Sequence, residues 1–191
     1  MRTLAAVLIG IAVAAAAPAA EVGGVKLDDK LRVAPGWPEL VLNGAGIRTR
    51  FFVKVYVGAL YLPEKKTTAA DVLALAGAKR MHLAMLRELT AQQLADALNE
   101  GFAANNPPAD QEKYKAQLAE LLATMNALGA AKNGEAIALD FVPDSGTRVL
   151  VNGAAKGKPI PDEGFYRAIL KIWLGDKPVD ADLKRGLLGQ S

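Results

Sequence analysis

The apolar residues divide the chain into a leader and a folded part. Leu4 to Ala17 is unbroken by any polar side chain, follows the positively charged Met1-Arg2, and runs into Ala17-Pro18-Ala19. A charged start, an apolar centre and small residues at the end make the three-part pattern of a secretory signal. The run is shorter than the ~20 residues a membrane-spanning helix needs. The expectation is a signal peptide over residues 1–19, a single domain over residues 20–191, and a periplasmic or secreted location. No later stretch is apolar and long enough for stable membrane insertion after cleavage.

Beyond the leader the pattern changes period several times. Val22 to Leu27 alternates weakly and predicts a short first strand. Leu40-Val41-Leu42 precedes Asn43-Gly44-Ala45-Gly46, whose composition reads as a turn. From Ile47 to Leu62 the residues are mostly β-branched or aromatic, the strongest strand signal in the chain. Its length suits one bent strand or a hairpin, with Gly58 as a bulge or a close contact. Thr67 or Thr68 caps a short helix through Leu75, and Arg80 to Leu86 returns to strand. Thr90-Ala-Gln-Gln93 reads as a capping box opening a helix with Leu94, Leu98 and Phe102 on one side. Asn106-Pro107-Pro108 breaks it. A second helix carries Tyr114, Leu118, Leu121, Leu122 and Met125.

Glu135–Val142 and Arg148–Val151 predict a hairpin closed by Pro143-Asp-Ser-Gly, and Asn152-Gly153 is a further hairpin turn. Asp162 caps a helix bearing Phe165, Ile169, Leu170 and Trp173, which Gly175 stops; Asp180 caps a last helix ending at Gly189. Neighbouring strands pair and helices cluster, which implies an α+β fold with a largely antiparallel sheet.

Composition then excludes much chemistry. Hydrophobic residues make up 51%, enough to build a core. There is no cysteine, so no disulfide, thiol nucleophile or thiolate metal site is available. Without Arg2, 22 basic residues face 20 acidic ones, scattered rather than striped. Nucleic acid is therefore not an expected partner. The single histidine, His82, cannot build a histidine-rich metal site, so no metal is expected. There is no Gly-x-Ser-x-Gly elbow and no phosphate-binding loop, and no cofactor is implied. What remains is polar residues within apolar strands. Arg48 and Arg50 are two apart and share a strand face, and Lys54 and Tyr56 continue that parity if no bulge intervenes.

The segment Leu42-Asn-Gly-Ala-Gly-Ile-Arg48, followed by Phe51-Phe-Val-Lys-Val-Tyr-Val-Gly-Ala-Leu-Tyr-Leu62, resembles the chalcone-isomerase-like family. The likeness continues through Met81–Gln93, Phe165–Gly175, Lys177-Pro178-Val179 and Leu187-Leu188-Gly189. It implies an open-faced sandwich, with a large antiparallel sheet, helices layered on one face and a ligand cleft between. The family includes plant enzymes that cyclise chalcones, fatty-acid-binding proteins and non-catalytic relatives. Its arginine after Gly-x-Gly meets an oxyanion or carboxylate, and that position here is Arg48. A shorter spacing to the next strand keeps Arg50 as a competitor.

Carried over residue by residue, the resemblance argues against the enzymes' chemistry. Their helix tyrosine falls at Leu94 and their asparagine at Gly101, neither able to donate a side-chain hydrogen bond. Their strand threonine falls at Tyr56, and their substrate-selecting position at Tyr166. No residue is assigned a catalytic role. The expected function is non-catalytic binding of an apolar carboxylate such as a fatty acid. Arg48 is its anchor, Tyr56 the first choice of hydroxyl and Tyr61 the second. The two tyrosines lie on opposite strand faces, so at most one of them serves unless a bulge intervenes. The alternative is an isomerase, an intramolecular lyase acting on a chalcone or related enone. A third possibility is a structural or protein-partner role with a vestigial cleft filled by side chains such as Phe51, Tyr166 or Trp173.

Overall fold

The computed structural model describes residues 20–190; the expected leader lies outside them. A small hairpin comes first, β1 (Ala20–Val22) and β2 (Val25–Leu27). The main sheet follows with β3 (Lys30–Leu31), β4 (Leu40–Arg50) and β5 (Val53–Leu62). Helix α1 (Ala69–Ala74) leads to β6 (Lys79–Met85), and β7 (Leu89–Thr90) into the long α2 (Ala91–Asn105). Helices α3 (Pro108–Lys113) and α4 (Lys115–Asn126) precede β8 (Ala130–Ala131), which pairs with β7. Strands β9 (Ala136–Val142), β10 (Gly146–Val151) and β11 (Ala154–Ile160) form a meander. Helices α5 (Glu163–Leu174) and α6 (Ala181–Leu187) end the chain.

The main sheet has seven strands in the order β11-β10-β9-β6-β5-β4-β3, each neighbour antiparallel. One face carries Tyr56, Leu60, Met81, Leu83, Ile137 and Leu139, and buries them under α2, α4, α5 and α6. The other face carries Val57, Ala59 and Tyr61, covered by Leu27, Val33 and neighbouring residues of the N-terminal segment. This is the expected α+β architecture with its helices on one face. A polar network crosses the second face. Arg80 grips the fully buried Asp140 through two hydrogen bonds of 2.6 and 2.7 Å, and Arg148 reaches the same carboxylate at 3.4 Å. These three residues stand opposite one another across β6, β9 and β10.

Helix starts follow local chemistry. Thr90 accepts a hydrogen bond from Gln93 N at 3.2 Å while Gln93 Oε1 accepts one from Thr90 N at 3.0 Å, completing the capping box. Asp180 Oδ1 takes the amides of Asp182 and Leu183, and its Oδ2 takes Thr49 N at 2.8 Å, which ties α6 to β4.

Three readings of the sequence change. Asn43–Gly46 is not a turn but the interior of β4. Its glycines serve packing: a Cβ on Gly44 would overlap the Gly186 carbonyl oxygen and lie 2.8 Å from Gly189 N. The actual turn is Phe51-Phe52, two residues without turn composition, between the paired Arg50 and Val53. The predicted second helix is two, α3 and α4, broken at Tyr114. At the sheet's outer edge, β11 is exposed from Ala154 to Pro159 and bends at Gly157, whose φ is +66°.

Candidate functional site

Between the sheet and the helices lies a narrow apolar cleft of ≈ 50 Å³. Helix α2 lines it with Leu94, Ala97 and Leu98, helix α5 with Ile172 and Trp173, and the sheet with Leu83, Ile137 and Leu139. Its polar groups are few: the lining includes Arg48 and Tyr56 and no acidic side chain.

A register shift positions both. Arg48 pairs with Tyr56, but Thr49 pairs with Lys54, so Val55 is the extra residue of a bulge. The bulge interrupts the expected parity. It turns both Val55 and Tyr56 towards the helices and leaves Lys54 exposed. Tyr56 is fully enclosed, and its hydroxyl accepts a hydrogen bond from Trp173 Nε1 at 2.8 Å. The phenol's own proton has no acceptor among the described side chains. Burial raises the Tyr56 pKa above its ordinary 10.0, although Arg48 and the Trp173 bond oppose the shift. The group is therefore a neutral donor. The Arg48 guanidinium lies over the Tyr56 ring, 5.6 Å from its centroid. Its Nε is buried without a hydrogen-bond partner, and no carboxylate pairs with this arginine among the described residues.

Arg48 and Ala97 also line an outer vestibule of ≈ 180 Å³, together with Arg50, Phe51, Val55 and Arg87. Of the two arginines, Arg48 lines both spaces and Arg50 only the outer one. The other two candidates stand apart. Tyr61 is buried in the core on the opposite face, where burial, reinforced by Asp28, pushes its pKa up to about 12. Tyr166 is buried behind the cleft, donates to Leu139 O at 2.9 Å and packs on Phe141. Neither lines the cleft.

Trp173 is the site residue that sequence reading placed only on a helix face or as filler. Its partner is 117 positions away, a pairing no local pattern contains. Gly101 also bears on the site: a Cβ there would lie 2.8 Å from Ile172 Cγ2, so the Ile172 side chain of α5 occupies the space an asparagine would enter.

Chemically, one cation and one neutral phenol donor meet on an apolar bed. Such a pair can hold a carboxylate or another anionic oxygen attached to an apolar body. Among the described residues, no group of three or more His, Asp or Glu is arranged to hold a metal.

Comparison with known proteins agrees with this architecture. A fatty-acid binding protein of Arabidopsis thaliana, AtFAP1, has the same fold, with a TM-score of 0.62 at 13% identity. The alignment covers 86% of this chain and 92% of that one. No curated protein matches the chain. The family signature of the chalcone isomerase-like proteins matches residues 19–189, and the chain belongs to that family.

Proposed function

We propose that this protein is an exported, non-catalytic carrier that binds an apolar carboxylate such as a fatty acid, held by Arg48 and Tyr56. The observation that carries the proposal is an arginine without a carboxylate partner beside a buried phenol, both lining an otherwise apolar cleft. Burying a carboxylate needs a bidentate cation and a second donor, and these two residues supply them. The fatty-acid binding protein that shares the fold supports the choice of ligand class. The apolar leader over residues 1–19 supports export to the periplasm.

The cleft of ≈ 50 Å³ is smaller than the ~300–1,000 Å³ usual for small-molecule sites. An acyl chain therefore enters by moving side chains of the lining, which includes Leu94 and Leu98 of α2 and Met125 of α4. Methionine adapts readily to such repacking. Titration of delipidated protein with a fatty acid, followed by calorimetry, tests the proposal. Wild type is expected to bind with a large negative heat-capacity change, and Arg48→Ala to weaken binding about tenfold or more. Equal, weak heats from both proteins would overturn it.

An intramolecular lyase acting on a chalcone is the second reading, favoured by the uncommitted Tyr56 proton beside Arg48. It lacks the other donors, since Leu94 is apolar and Gly101 has no side chain, with Ile172 filling the space beside it. One missing oxyanion donor costs about 2.7–4 kcal/mol of transition-state stabilisation. Rapid ring closure of a chalcone that stops in Tyr56→Phe would establish this reading instead.

A further inference from the structure

The turn between β4 and β5 breaks two rules at once. Phe51 and Phe52 have φ of +48° and +64°, the left-handed region that bulky side chains avoid. Two-residue hairpin turns of this kind take Asn-Gly for that reason. The same molecule follows the rule elsewhere: β10 and β11 are joined by Asn152-Gly153, with φ of +50° and +81°. The phenylalanines also face solvent. Phe51 is 83% exposed and Phe52 fully so, and with Val53 they are the large hydrophobic residues left outside among the described residues. Neither folding nor solubility accounts for them.

Their surroundings are cationic. Arg50 stacks on Phe51 with its guanidinium 5.5 Å from the ring centroid. Arg87 lines the same vestibule, and Lys54 is exposed on the adjoining strand. None of these three forms an ion pair among the described residues. The nearby acids are Glu88, next to Arg87 in sequence, and Asp180, whose carboxylate is already occupied by Thr49, Asp182 and Leu183 amides.

We propose that the Phe51-Phe52 hairpin tip docks the protein on an anionic lipid bilayer, with the two rings in the acyl boundary and Arg50, Lys54 and Arg87 among the headgroups. Aromatic wedges ringed by basic residues bind such interfaces through apolar burial plus attraction to anionic lipid. The contact is peripheral and reversible; no described helix is long and apolar enough to cross a membrane. Phe51 is also part of the vestibule wall beside Arg48. Docking therefore turns the mouth of the cleft towards the lipid. Resting on the ligand proposed above, an amphiphile then passes from bilayer to cleft without crossing water. The docking itself does not depend on that ligand.

Vesicle flotation tests docking without any ligand. The full chain is compared on phosphatidylcholine vesicles and on vesicles with about 30% phosphatidylglycerol, at low and at about 0.5 M salt. The experiment is repeated on the chain from Ala20, which retains every described element, because the leader is itself apolar. Flotation with the anionic vesicles, weakened by salt, is expected. Phe51→Asn/Phe52→Gly restores the turn chemistry of Asn152-Gly153, so it is expected to melt no lower than wild type and to lose binding about tenfold or more. Arg50→Ala/Arg87→Ala should reduce binding to the anionic vesicles only. Wild type from Ala20 that stays unbound overturns the proposal, as does Phe51→Asn/Phe52→Gly protein that floats equally well. So does a wild-type dimer that this variant dissolves, which would assign the tip to a second copy of the chain. Docking without fatty-acid binding in the calorimeter would remove the carrier reading and leave the docking in place.

Discussion

Tyr56 is held by one hydrogen bond whose donor has no other partner. Trp173 Nε1 points at the phenol oxygen at 2.8 Å inside the core, where Trp173 is 4% exposed and Tyr56 3%. Tyr56→Phe keeps the ring but strands that indole N–H, and an unpaired buried donor costs about 1–3 kcal/mol. Urea denaturation of the ligand-free variant should show a loss in this range, and Trp173→Phe added to Tyr56→Phe should cost less than the two losses summed. Strict additivity would mean that the bond contributes nothing. Arg48 and Tyr56 were both legible as candidates, because polar residues in an apolar strand stand out. Which other residues join them was not. The bulge at Val55 sets the orientation of Tyr56, and it arises from pairing between β4 and β5 rather than from any residue's propensity. Tyr61 and Tyr166 are the same residue type but lie outside the cleft lining, because a buried phenol serves packing as readily as binding.

At the scale of elements, the interlock of α6 with β4 holds one side of the site. Gly44 and Gly186 admit each other's backbone: a Cβ on Gly186 would lie 2.5 Å from Ala45 O, and one on Gly44 would strike Gly186 O. Gly44→Ala has only backbone to displace and is expected to destabilise by about 3 kcal/mol, whereas Gly46→Ala, whose nearest neighbours are Leu183 atoms at 3.3 Å, should cost roughly 1 kcal/mol. Thermal melts of the two variants check the order; reversal would mean that α6 slides to accommodate the change. Val179 lines the cleft just ahead of α6, so Gly44→Ala should also alter ligand affinity, without touching the ligand itself. Helices were read well from sequence because their caps are local: Thr68, Thr90, Asp162 and Asp180 all cap as expected. Strand β4 was misread at Asn43–Gly46 because glycine means a turn in one context and a helix-packing groove in another. The Phe51-Phe52 turn escaped because its residues contradict its geometry.

For the whole molecule, three of the four tyrosines are buried with pKa values above 10.0: Tyr56, Tyr61 and Tyr166, each chiefly by desolvation. The unfolded chain loses these protons near pH 10, while the folded chain keeps them. Stability therefore falls as pH rises above 10, since the unfolded state then binds fewer protons. The buried Lys79 acts oppositely. Burial lowers its pKa despite Glu163, so its contribution rises with pH until the unfolded value of 10.5 and is then complete. Urea midpoints should hold or rise towards pH 10 and then decline, with tyrosinate absorbance appearing together with unfolding. Absorbance from three tyrosines in protein that is still folded would contradict this. The sheet's two edges carry a different consequence. One ends in β3, only two residues long; the other is β11, whose exposed length contains Lys156, Lys158, Pro159 and the kink at Gly157. A sheet apolar on both faces is a template for strand addition wherever a long, flat edge is open. Short pairing on one side, and charge, proline and a bend on the other, deny an incoming strand its ladder. The protein can thus keep a hydrophobic cleft and two exposed aromatic rings without recruiting its own copies into fibrils.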